Sequence, residues 1–181
     1  MRFRISYRGP LPSNARPKQK WQIRQALHNQ LLVIRAQEPL ISSFGNRSAD
    51  DHSSCHLDEV RGTLTYAPIV SERNFTFVEI DVLLLRPGTP GFIAGGGGDI
   101  DNRLKTLFDS LQPPNVTDAY QPAWDQSIPV CCLVQDDKLI TRVNVETDRL
   151  LDQTTSDNEV LLVIGVHVRA SSPRECNHFA T

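Results

Sequence analysis

Residues 98–114 read Gly-Asp-Ile-Asp-Asn-Arg-Leu-Lys-Thr-Leu-Phe-Asp-Ser-Leu-Gln-Pro-Pro. Leu104, Leu107, Phe108 and Leu111 occupy i, i+3, i+4 and i+7, so Asp101 to Leu111 is predicted as a helix with one apolar stripe, ended by Pro113 and Pro114. Six of the ten glycines precede it, from Gly88 to Gly98. Such a segment has little intrinsic structure, and without a Gly-Lys-Ser/Thr ending it is not a phosphate-binding P-loop.

Outward from this helix the periodicity changes to that of strands. Gly62 to Val70 and Phe75 to Leu85 are predicted strands, joined as a hairpin across Ser71 to Asn74. Val130 to Val134, Leu139 to Glu146 and Val160 to Val168 follow as three more. At the start, Phe3, Ile5 and Tyr7 alternate with Arg2, Arg4 and Arg8, the pattern of a half-buried strand with a basic outer face. Trp21, Ile23, Ala26, Leu27, Leu31 and Ile34 then predict a helix from about Lys18 to Arg35. The expected order is β-α-β-β-α-β-β-β, an α+β fold of two layers with helices on one face of a mixed β-sheet. A single domain is expected over 1–170, with polar insertions at about 42–59 and 112–127 and a flexible tail over 171–181.

The chain has 181 residues, 39% hydrophobic and 22% charged, which excludes a wholly disordered polymer. No apolar run approaches the roughly 20 residues of a spanning helix. The net charge of -2 hides an asymmetry. Eight basic residues and no acid precede Glu38, while the remainder carries 11 basic residues against 21 acids. A basic segment of that kind suits a polyanion, and Arg8, Arg16, Lys18, Lys20 and Arg24 are the candidate phosphate contacts. It equally suits solvated faces of a strand and a helix. Four irregularly spaced cysteines do not form a disulfide framework, and Met1 to Gly9 lacks the apolar stretch of a secretory signal, so a cytoplasmic location is expected.

The chemistry concentrates at Asp99 and Asp101. Two neighbouring carboxylates repel each other and would repel a phosphate, an arrangement that makes sense around a divalent cation; oxygen-only ligands select Mg2+, with Mn2+ as substitute. Lys105 lies four residues beyond Asp101, on the same flank of the helix. Asp137, or its neighbour Asp136, is the candidate third carboxylate, at a strand end. Read without a metal, the same residues are an N-capping aspartate with an i, i+4 salt bridge.

Asp99-x-Asp101-Asn102-x-x-Lys105-x-x-x-Asp109-x-Leu111, followed by Asp136-Asp137, resembles the signature of the RusA-type Holliday junction resolvases. The opening strand leading into Leu11-Pro12-Ser13-Asn14 and a helix is similar to that family as well. About 20 residues carry the resemblance.

The resemblance implies a homodimeric, Mg2+-dependent endodeoxyribonuclease acting on branched DNA, with no organic cofactor and no membrane partner. Carried over by position, Asp99, Asp101 and Asp137 hold the metal and Lys105 completes the catalytic set, while Asn102, Asp109 and Asp136 support it. Here 24 residues without a glycine separate Leu111 from Asp136, longer than the family's usual link. That insertion motivates the alternative expectation, a RusA-fold DNA-binding or assembly module with weak or no nuclease activity.

Overall fold

The computed structural model describes residues 1–37, 58–87, 100–115, 120, 122–151, 159–173 and 175–180. In chain order these form β1 (Arg2–Pro10), α1 (Pro17–Gln37), β2 (Glu59–Arg61), β3 (Leu64–Val70), β4 (Thr76–Arg86), α2 (Ile100–Leu111), β5 (Val130–Val134), β6 (Ile140–Arg149) and β7 (Glu159–Ala170), with short 3-10 turns between some of them. The class is α+β, as the periodicity indicates. Among the described residues no helix is long and apolar enough to cross a membrane.

The strands form two sheets rather than one. β1-β7-β4-β6 is the larger and β2-β3-β5 the smaller, and each contains one parallel pair, β4 with β6 and β3 with β5. The hairpin expected across Ser71 to Asn74 is absent: β3 pairs with β2 and β5, and β4 with β6 and β7. The reason is local. Ser71 caps a 3-10 turn, Asn74 is buried and donates to the Ile69 carbonyl, and Phe75 adopts a left-handed φ of 55°, which hands the chain from one sheet to the other. The hairpin lies one connection earlier, at Gly62 and Thr63, where Gly62 supplies a φ of 63°.

One face of the large sheet, carrying Ile5, Tyr7, Ile80, Val82, Leu162 and Ile164, packs against Ile23, Leu27 and Leu31 of α1 and Leu107 and Leu111 of α2. The small sheet is covered on both sides, so β5 reads as an unbroken apolar run. Cys131 and Cys132 lie within it. Burial pushes their thiols up to about 11 and about 12, so they remain neutral and serve packing.

Two further expectations change. The tail expected to be flexible is packed through Asn177, which is buried and donates to the carbonyls of Asn74 and Ser172. The insertion expected over 112–127 contributes to a core, since Trp124 meets Trp21 and His28 edge-on at ring separations of 5.5 and 4.8 Å. The insertion at 42–59 lies outside the described residues except Asp58 and Glu59; Asp58 binds the buried Arg35 at 3.3 Å and Glu59 begins β2.

Candidate functional site

α2 turns Leu107 and Leu111 into the core and leaves Asp101, Asn102 and Lys105 exposed. An acid in the first turn suits the positive end of the helix dipole, and Asp101 and Lys105 share a flank at i, i+4. Asp99 lies outside the described residues.

The N-terminal basic segment is brought against this helix. The Ala15 N–H donates to Thr106 Oγ1 at 3.4 Å, Arg103 donates to the Leu11 carbonyl, and Lys20 pairs with Asp109 at 2.7 Å. Arg16 and Lys18 remain exposed at this junction. Arg86, at the end of β4, lies near Arg103; burial and then this like charge pull the Arg103 guanidinium below its ordinary pKa.

Other members of the expected phosphate-binding set have different uses. Arg24 is buried, its Nε donating to the Gln112 carbonyl and its Nη2 to the Asp109 carbonyl at 2.9 and 2.7 Å. These carbonyls belong to the C-terminal end of α2, so Arg24 is a helix cap rather than a DNA contact. Lys20 is half-buried in its pair with Asp109. Arg8 faces solvent on the side of β1 opposite the helices.

Asp136 and Asp137 are separated in role. The Asp136 carboxylate accepts from the Lys138 N–H at 3.0 Å, capping the 3-10 turn Asp137–Leu139. The Asp137 side chain is exposed, and its backbone N–H donates to Gln112 Oε1 at 2.8 Å. Asp137 therefore docks near the C-terminal end of α2, whereas Asp101 begins that helix about 16 Å of axial rise away from Gln112. Among the described residues no group of three His, Cys, Asp or Glu side chains is gathered for a metal ion. The oxygen chemistry of Asp101 suits Mg2+, but the expected three-carboxylate cluster is not assembled from the described residues.

A second constellation lies on the other face of the large sheet. Glu79 meets Arg142 at 3.2 Å, Arg169 at 3.3 Å and His167 at 3.5 Å, and Asp81 meets Arg142 at 3.6 Å. With Arg2, Arg4, Phe3 and Gly165 they line an open cavity of about 720 Å3. Desolvation, then Arg2 and Arg169, lowers the His167 pKa against the opposing pull of Glu79, favouring neutral imidazole. Alternation puts Arg2 and Arg4 on an exposed face of β1, but only cross-strand register places Arg2, His167, Glu79 and Arg142 in one row. No family model, curated protein or solved structure matches this chain.

Proposed function

We propose that this protein is a Mg2+-dependent, structure-selective endodeoxyribonuclease that nicks branched DNA such as Holliday junctions, as its resemblance to the RusA-type resolvases implies. The observation that carries the reading is the junction of the basic Leu11–Lys18 segment with α2, which sets Arg16 and Lys18 beside a helix whose Asp101 and Lys105 are exposed. Asp99 and Asp101 would hold the cation, which when bound polarises a scissile phosphate and acidifies a water. Lys105 would hold a phosphate oxygen and stabilise charge as it develops, while Arg16 and Lys18 would neutralise flanking phosphates. Asp137 enters the reading as the third carboxylate only through the resemblance.

The test is nicking of four-way junctions, flaps and linear duplex in Mg2+. Asp101→Asn and Lys105→Ala are expected to slow junction nicking by about 100-fold or more, equivalent to about 2.7 kcal/mol in the barrier. Equal cleavage by wild type and Asp101→Asn sinks the reading. Asp137→Asn alongside them separates a ligand, with a loss like that of Asp101→Asn, from a residue that only docks against Gln112.

The outer-face cavity favours a second reading, a DNA-binding module with weak or no nuclease activity. Four arginines line it against two carboxylates. Tight junction binding that weakens steeply with salt, without metal-dependent cleavage, would support this alternative.

A further inference from the structure

α1 and α2 both pack on the inner face of the large sheet. On the outer face the register sets Arg4, Gly165, Asp81 and Asn144 in one row, beside the row of Arg2, His167, Glu79 and Arg142. Gly165 lies inside β7, a strand paired on both sides. A glycine there weakens the strand, because it loses the most backbone freedom on folding and packs no side chain. The fold does not require it. Its φ is not positive, and a Cβ would meet only the Asp81 Cβ and the Asp81 carbonyl oxygen, both at 3.6 Å, which is ordinary van der Waals contact. A glycine that the strand itself does not need marks a close approach to the backbone from outside the sheet. Gly165 lines the open cavity of about 720 Å3, a volume within the usual range of small-molecule sites.

The charges around Gly165 select what approaches. Glu79 is already engaged by Arg142, Arg169 and His167 at 3.2, 3.3 and 3.5 Å. Arg2 and Arg4 form no ion pair among the described residues, and they stand two positions apart on one rim of the cavity, about 7 Å along β1. Two forked guanidiniums at that spacing match one phosphate group. On the far side of Gly165, two strand spacings or about 10 Å from Arg4, stands the half-exposed carboxylate of Asp81, which meets Arg142 at 3.6 Å. That carboxylate repels a second phosphate and accepts from a hydroxyl or amino group. A strand with a phosphate on both sides of every sugar matches the pattern less well than a single phosphate on a hydroxyl-bearing body.

The geometry points to a binding site above Gly165 for a small phosphomonoester with hydroxyl donors, the chemistry shared by sugar phosphates and mononucleotides. Its phosphate takes Arg2 and Arg4, a hydroxyl donates to Asp81, and its body fills the space that a side chain at position 165 would occupy. The site is on the face of the sheet opposite α2, so it does not rest on the nuclease reading and is measured without DNA or metal.

Calorimetric titration of the full chain with ribose 5-phosphate, AMP, inorganic phosphate and ribose tests this. At least one of the two phosphomonoesters should bind with Kd below about 1 mM, inorganic phosphate about tenfold more weakly, and ribose not measurably. Tighter binding of AMP assigns the site to a mononucleotide, and equal or tighter binding of ribose 5-phosphate to a sugar phosphate. Arg4→Ala should weaken the phosphomonoester about tenfold, and Asp81→Ala should erase its advantage over inorganic phosphate. Gly165→Val places a branched side chain in the cavity and should weaken binding about tenfold or more, while Gly165→Ala, which the fold accommodates, should melt no lower than wild type. The proposal is overturned if neither phosphomonoester binds below about 1 mM, if inorganic phosphate binds as tightly as both, or if Gly165→Val binds like wild type. A Gly165→Ala protein that melts well below wild type also overturns it, since the glycine then serves the strand. So does junction DNA that binds wild type and loses affinity in Arg4→Ala while neither phosphomonoester binds, an outcome that gives the cavity to DNA.

Discussion

At the C-terminal end of α2, Asp109 holds Lys20 at 2.7 Å and the Asp109 and Gln112 carbonyls accept both contacts from Arg24, while at its N-terminal end Asp101, Asn102 and Lys105 stand exposed. The two ends carry similar residue types but do different things. A helix C-terminus presents unpaired carbonyls and a partial negative charge, and α2 has no basic residue in its own last turn. α1 supplies the missing cation, so part of the N-terminal positive charge is spent on scaffold. The charge left for a ligand is smaller, and it collects near Arg16, Lys18 and Lys105.

The largest expected stability effect comes from removing the buried cap. Arg24→Ala should lower unfolding free energy by about 3 kcal/mol in denaturant titration, since it leaves buried helix-end carbonyls unsatisfied. A change below about 1 kcal/mol would erase the contrast between the two ends.

His28 sharpens the same contrast through pH. It is buried on α1, and its Nδ1 accepts from the Cys131 N–H at 2.9 Å, so it must be neutral at that atom. Desolvation lowers its pKa from the ordinary 6.5. Between the lowered folded pKa and 6.5 the unfolded chain binds a proton that the folded chain does not, so this stability is full above about 6.5 and is lost as pH falls through the folded value. Tm should therefore fall between about pH 7.5 and pH 5.5, and less steeply in His28→Asn, which retains an acceptor. Equal slopes in the two proteins would remove His28 from the explanation.

The smallest effect is expected at the exposed end. Asp101→Asn and Lys105→Ala should each change unfolding free energy by no more than about 0.5 kcal/mol, because neither side chain is buried. Destabilisation beyond about 1 kcal/mol in either would mark that end as scaffold too.

Periodicity was enough to identify α1, α2, β1 and the central strands, because apolar spacing at 3.6 or 2 residues reflects which side of each element meets the core. It did not separate β3 from β4 into two sheets. That choice depends on buried Asn74 and left-handed Phe75, whose effect appears only when the turn packs. The site was legible as residue types, Asp101 and Lys105 on one flank, and not as geometry. Nothing local indicates that Asp109 takes Lys20, that Asp136 caps a turn, or that Asp137 meets Gln112.

By itself the sequence determined the α+β class, the amphipathic helix beginning at the paired aspartates and the uneven distribution of charge. These are properties of spacing and order along one chain. The tertiary structure decided which charges are scaffold and which remain exposed, and how the strands divide into two sheets. Those outcomes depend on contacts between residues far apart in the chain, such as Cys131 with His28, 103 positions apart, and local pattern carries no record of them.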